Sequence, residues 1–217
     1  MKSIAVITGA SRGIGLATAR RLSAEFDVVS LSRTEATGIT TYRTDITQPG
    51  EVAEAFGKIA EQHGTPEVLV NNAGFVEPKG LLEMSLEDWA TTVAVNLTGA
   101  FICTQQFVRH ARRHGRGGKI VNIASTAGTR PQPGWSAYAA AKAGVINFSL
   151  SMAEELRPYG IRVYCVAPGR CATDLRRRLA PDEDQSTIMQ PAEVAEFIHH
   201  LIIDGRLVDG QTILVRG

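Results

Sequence analysis

Hydrophobic and polar residues follow two periods along this chain. Short β-branched runs at Ile4–Thr8, Val28–Leu31, Val68–Val70, Lys119–Ile123 and Ile161–Ala167 read as strands. All but the second are apolar almost without a break, as expected of strands buried on both faces of a parallel sheet. Between them, apolar positions recur at helical spacing in Ile14–Glu25, Glu51–His63, Leu86–His114 and Ser136–Arg157. Ser85-Leu86-Glu87-Asp88 predicts a capped start for the third of these helices. Pro191 suits the first turn of a last helix reaching about His200, and Thr212–Val215 reads as a final strand. Alternation from end to end implies right-handed crossovers and a doubly wound α/β sheet with helices on both faces. No repeat, low-complexity tract or linker divides residues 1–217, so one domain is expected. The least regular stretches are Ser32–Thr44 and Asp174–Gln190.

Composition narrows the function classes. The 217 residues are 44% apolar and 21% charged, enough for one sizeable core. No stretch approaches the roughly 18–20 apolar residues of a membrane span, and Met1-Lys2-Ser3-Ile4 runs straight into a strand without a leader pattern. Three scattered cysteines, Cys103, Cys165 and Cys171, make neither a disulfide framework nor a zinc cluster, so a reduced, cytoplasmic setting is expected. A net charge of +1 gives no case for nucleic acid. The charge is uneven, however: residues 1–108 hold 8 Lys/Arg and 12 Asp/Glu, whereas 109–217 hold 15 and 10. The excess lies mainly in Arg109–Lys119 and Arg176–Arg178, for which a solvated surface is the ordinary reading.

Chemistry enters with Thr8-Gly9-Ala10-Ser11-Arg12-Gly13-Ile14-Gly15, between the first strand and first helix. Glycines there let the backbone turn sharply and approach a pyrophosphate at the helix N-terminus, although glycine-rich turns also serve geometry alone. In an NAD site a carboxylate at the end of the second strand would bind the ribose 2′-hydroxyl. Here that strand ends Ser30-Leu31-Ser32-Arg33, and Arg33 with Arg12 could instead grip a 2′-phosphate, which favours NADPH over NADH; idle, solvated arginines are the alternative. Tyr138 and Lys142 stand at i and i+4 on the fourth helix, and an ammonium beside a phenol lowers the phenol pKa toward the range useful for proton transfer. An incidental surface pair would have the same spacing. Ser125 follows the strand Lys119–Ile123, and Asn71-Asn72-Ala73-Gly74 follows Val68–Val70. Both lie at the carboxyl edge, where open parallel sheets place their ligands.

With these residues the chain resembles the classical short-chain dehydrogenases/reductases over nearly its whole length. Thr8–Gly15 matches that family's TGxxxGxG, Asn71–Gly74 its NNAG and Tyr138/Lys142 its YxxxK. Ser125 falls on its catalytic serine, Asn96 on its active-site asparagine, and Pro168–Thr173 on its PGxxxT. The resemblance implies a Rossmann-type sheet of about seven strands in the order 3-2-1-4-5-6-7. It implies Tyr138 as general acid, Lys142 lowering the tyrosine pKa and holding the nicotinamide ribose, Ser125 binding the substrate oxygen, and Asn96 anchoring a water. It places Gly9, Ser11, Arg12, Gly13, Ile14, Gly15, Arg33, Asp45, Ile46, Asn72, Ala73, Gly74, Tyr138, Lys142, Pro168, Gly169, Cys171 and Thr173 against the cofactor. No metal is implied; His110 and His114, four apart, lack a third ligand.

Two connections are shorter than the family usually shows. Between Arg33 and Asp45 a loop is expected in place of a helix, and the substrate lid, about 174–190, is brief, which predicts an open pocket. The reading that follows is an NADPH-dependent carbonyl reductase that gives a secondary alcohol, with a 3-oxoacyl thioester among the candidate substrates. For a carrier-linked substrate, Arg109, Arg112, Arg113, Arg116, Arg157 and Arg162 could form a landing surface. The alternatives are an NAD-linked secondary-alcohol dehydrogenase and, in another class, a non-catalytic NADP(H)-binding sensor or assembly subunit. By resemblance, a homotetramer or dimer is expected; nucleic-acid and membrane partners are not.

Overall fold

The computed structural model describes residues 2–217. Seven parallel strands form one sheet: β1 (Ser3–Thr8), β2 (Phe26–Ser32), β3 (Thr40–Arg43), β4 (Val68–Asn71), β5 (Gly118–Ile123), β6 (Ile161–Pro168) and β7 (Thr212–Val215). Their order is β3-β2-β1-β4-β5-β6-β7, the expected doubly wound arrangement. Alternate residues of each strand feed opposite cores. Ile4 and Val6 join Val29, Leu31, Leu69 and Ile120 beneath α2 (Pro49–Gln62), α4 (Gly99–Arg113) and α5 (Ser136–Leu156). Ala5 and Ile7 join Val28, Val70, Val121 and Tyr164 beneath α1 (Gly13–Leu22) and α7 (Pro191–Asp204). Two-sided burial explains why the central strands are apolar without alternation.

Three local features depart from the sequence expectation. β3 formed where only irregular chain was expected; it is short and largely polar, an edge strand that pairs with β2 from Val29↔Thr40 to Ser32↔Arg43. The connection into it holds no helix, as expected. The stretch expected as one helix, Leu86–His114, is α3 (Leu86–Val93) and α4 joined by a π-helical turn at Ala94–Thr98. Its start carries the anticipated capping box, with Ser85 and Asp88 bonded reciprocally. The lid is also more ordered than expected: α6 (Asp174–Leu179) is capped by the Thr173 hydroxyl.

A polar relay ties the layers together close to the reactive edge. Asn71 Nδ2 donates to Thr104 Oγ1 (3.0 Å) on α4 and to Asn122 Oδ1 (2.8 Å) on β5, and Asn122 Nδ2 donates to Ser149 Oγ (2.9 Å) on α5. These buried side chains cannot slip past one another without leaving polar groups unpaired, which fixes α4 and α5 against β4 and β5.

Candidate active site

The carboxyl edge of the sheet opens into a cleft of about 530 Å³. Every residue expected at the cofactor lines it except Gly15, which is buried behind it. Gly15 has a packing role: a Cβ there would lie 2.4 Å from Asn72 Nδ2 and from Gly9 O. The glycine-rich turn is in turn tied to β4, since Thr8 Oγ1 accepts from Asn72 N and Ala73 N (3.0 Å each) and Asn72 Nδ2 donates to Thr8 O (3.0 Å). α1 begins with no side-chain cap and no acid in its first turn. Its free N–H groups and positive dipole end therefore face the cleft, an arrangement suited to a pyrophosphate.

At one end of the cleft Arg12 and Arg33 are exposed and, among the described residues, make no ion pair. Ser32 stands where an NAD-type carboxylate would be, and its hydroxyl donates to Thr34 O (2.7 Å). Burial opposes ionisation of Asp45, but hydrogen bonds from Thr47 and the nearby Arg33 charge outweigh it, holding the carboxyl below the usual range.

Ser125, Tyr138 and Lys142 come together further along, from two elements. β5 is followed by a 3-10 turn, Thr126–Thr129, capped by Ser125 Oγ, which accepts from Ala127 N (3.1 Å). That turn lies directly on α5 because Gly128 has no side chain; a Cβ would come within 2.7 Å of Ala143 N and Lys142 C. Ser125 and Tyr138 line the same stretch of the cleft. Lys142 is buried, donates to Ile123 O (2.8 Å), and holds its Nζ 5.7 Å from the Tyr138 ring centroid.

Burial dominates the electrostatics of both groups. Burial pushes the Tyr138 phenol above its ordinary pKa, and the Ser125 hydroxyl only partly opposes it. Burial also pushes Lys142 down to about 8. In this arrangement the Lys142 ammonium donates to Ile123 O while standing beside the Tyr138 ring.

Asn96 stands apart from the cleft lining. Its Nδ2 donates to Phe75 O (2.6 Å) and Thr92 O (2.9 Å), and its Oδ1 accepts from Phe75 N (3.3 Å). The side chain thus clamps Phe75 to the π-helical turn. Cys171 is buried with its thiol pushed up to about 11 by desolvation, as suits a packing residue. His110 packs beside Phe56, with ring centroids 5.9 Å apart. Residues that sequence reasoning missed include Asn122, Thr104 and Ser149 of the relay, and Trp135, whose ring meets Tyr138 edge-on at 6.0 Å. Only the fold reveals the relay, because its members lie far apart in sequence.

The expected landing surface lies elsewhere. Arg116, Arg157 and Arg162 line a second cleft, of about 840 Å³, where β5 and β6 begin, at the opposite edge of the sheet. Several of these cations already have partners: Arg116 pairs with Glu67 (2.9 Å), Arg157 with Glu154 (2.7 Å), and Arg112 sits over the Tyr159 ring.

The fold and these motifs define a dehydrogenase of the short-chain type, and comparison with known proteins agrees. The family model for short chain dehydrogenases matches residues 3–184. A 3-oxoacyl-[acyl-carrier-protein] reductase of Synechocystis sp. is 36% identical over 236 residues, covering 99% of this chain and 95% of that protein. Cis-4-hydroxycyclohexanecarboxylate dehydrogenase of Sinomonas cyclohexanicum is 36% identical over 237 residues, with the same coverage. A solved actinorhodin polyketide ketoreductase with NADPH matches with a TM-score of 0.90 at 30% identity, over 99% of this chain and 95% of that one. The chain belongs to the short chain dehydrogenase family and is an oxidoreductase acting on CH–OH or C=O groups. No helix among the described residues is long and apolar enough to cross a membrane.

Proposed function

We propose that the protein is an NADPH-dependent carbonyl reductase that converts a ketone to a secondary alcohol, with 3-oxoacyl thioesters as the leading substrate class. The observation that carries this reading is the shared cleft, with two exposed arginines at one end and the Ser125–Tyr138–Lys142 set further along. Arg12 and Arg33 would hold the 2′-phosphate, the free N–H groups of α1 the pyrophosphate, and the unused donors of Lys142 the nicotinamide ribose. The bound nicotinamide would supply the hydride. The protein supplies the proton: the Tyr138 hydroxyl gives it to the carbonyl oxygen while Ser125 Oγ–H stabilises the charge developing there. Tyr138 enters reduction as the phenol, and in alcohol oxidation the same group would act as the phenolate.

The thioester class is supported by likeness to the cyanobacterial reductase and the polyketide ketoreductase, while the equally similar cyclohexanecarboxylate dehydrogenase shows that identity alone does not choose. A carrier docked on the Arg109–Arg116 surface would sit across the sheet from this cleft, so it could serve only a cleft on a second copy. Fluorescence titration with NADPH and with NADH tests the cofactor assignment. NADPH is expected to bind at least tenfold tighter, with Arg33→Ala removing most of the difference. Equal affinities would sink the clamp, and binding of neither would return the non-catalytic alternative with the dinucleotide site itself lost.

A further inference from the structure

The cleft is more basic than a dinucleotide requires. Arg12, Arg33, Arg130, Lys142, Arg170 and Arg176 line it, against only Asp45 and Asp174. Asp45 is spent on Thr47, and Asp174 turns to Arg177 at 2.8 Å. Arg33 follows β2, whereas Arg130 and Arg170 follow β5 and β6, so three strands separate the proposed phosphate clamp from Arg170. The cations at the β5–β6 end have no role in the reading above.

Two of them are held in place. Glu183, with a side chain only 15% exposed, accepts from Arg176 through both Nε and Nη2 (2.7 Å from the latter) and from Arg170 Nη1 (3.0 Å). Glu183 is not itself part of the cleft wall and grips the guanidiniums from behind. Arg176 keeps Nη1 free, and Arg170 keeps Nε and Nη2 free. One carboxylate shared by two guanidiniums leaves net positive charge, already ordered, at a cleft wall. Such preorganisation removes much of the entropic cost of binding an anion.

We propose that Arg170 and Arg176, oriented by Glu183, form an anion subsite, so that the ketone reduced here carries a negatively charged group away from its carbonyl. This deepens the reductase reading and rests on it for the identity of the ligand as substrate. Two sources would present the same chemistry, a carboxylate on a free keto acid or the phosphate of a pantetheine arm. Leu175 and Leu179 of α6 line the same cleft and would take the chain between carbonyl and charge.

The test compares matched ketones with NADPH: 5-oxohexanoate against its methyl ester, and S-acetoacetyl-4′-phosphopantetheine against S-acetoacetylpantetheine. The pair whose charged member has a KM about tenfold lower identifies the source. Arg176→Gln is expected to erase that difference while leaving the uncharged ketone and NADPH affinity unchanged. Glu183→Gln separates positioning from bulk charge: a positioning role raises KM for the charged ketone, whereas a simple charge effect would lower it. Equal KM values within both pairs, or a loss in Arg176→Gln that strikes both members alike, overturns the subsite. Calorimetric titration of 5-oxohexanoate and of 4′-phosphopantetheine into the protein separates the two readings. Binding lost in Arg176→Gln, without reduction of any ketone, keeps the subsite and rejects the reductase; ester reduction without tighter anion binding does the reverse.

Discussion

At the scale of the residue, the reactive groups bear a stability cost that their chemistry requires. Lys142 is a buried ammonium with one hydrogen bond to a carbonyl, and its pKa falls from 10.5 to about 8. Below pH 8 it is charged in both folded and unfolded chains, and the full burial penalty applies. Between about 8 and 10.5 the unfolded chain holds more protons than the folded one, so stability rises with pH across that window. Lys142→Met removes the penalty and leaves one carbonyl unpaired, for a net gain on the order of 1–2 kcal/mol at pH 7. Thermal melts from pH 7 to 10 should show the variant ahead at pH 7 and the gap closing by pH 10, while turnover is lost at every pH. A gap that stays constant with pH would mean that Lys142 is not desolvated as described. Wild-type reduction should decline above pH 8 for the same reason, as the ammonium that orients the site loses its proton.

At the scale of the element, what the sequence made legible follows from local physics. Ser85/Asp88, Pro191 and the apolar strands declare themselves through neighbours within a few residues. β3 did not, because a short polar edge strand takes its pairing from β2 and has no apolar run of its own. The π-helical turn was equally hidden. Its residues keep a helical apolar pattern, and nothing in that pattern marks the wider turn from which the Asn96 side chain reaches Phe75. The motif residues of the site were visible, but the Asn96 side chain proved to be a clamp, and the Asn71–Asn122–Ser149 relay needed the fold to bring it together. Asn96→Ala would strand its half-buried Phe75 and buried Thr92 partners at a cost of about 2–3 kcal/mol. For a chain of this length that corresponds to a loss of about 4–12 °C in Tm. Activity should fall mainly through kcat, because Gly74 and Phe75 border the cleft beside Lys142, whereas NADPH affinity should change little. An unchanged melting temperature would show that the clamp carries no load.

At the scale of the whole molecule, the sheet separates two basic regions. Three of those at the amino edge are answered by Glu67, Glu154 and Tyr159, while the six cations lining the catalytic cleft have only Asp45 and Asp174 beside them and Glu183 behind, which leaves the wall net positive. A cleft of one sign with low-dielectric walls concentrates anions, and the effect is screened by salt. Raising ionic strength from about 0.02 to about 0.3 M shortens the Debye length from about 20 to about 6 Å, shorter than the span of the cleft from β2 to β6. Both dinucleotides share the pyrophosphate, but only NADPH adds a phosphate at the exposed Arg12 and Arg33, where water and ions have free access. Its affinity should therefore weaken several-fold over that range, and NADH's by a smaller factor. Arg33→Ala should flatten the NADPH dependence toward that of NADH, and titrations at four salt concentrations would resolve the slopes. Parallel slopes for the two dinucleotides would place the 2′-phosphate away from both arginines, and the preference for NADPH would then need another source.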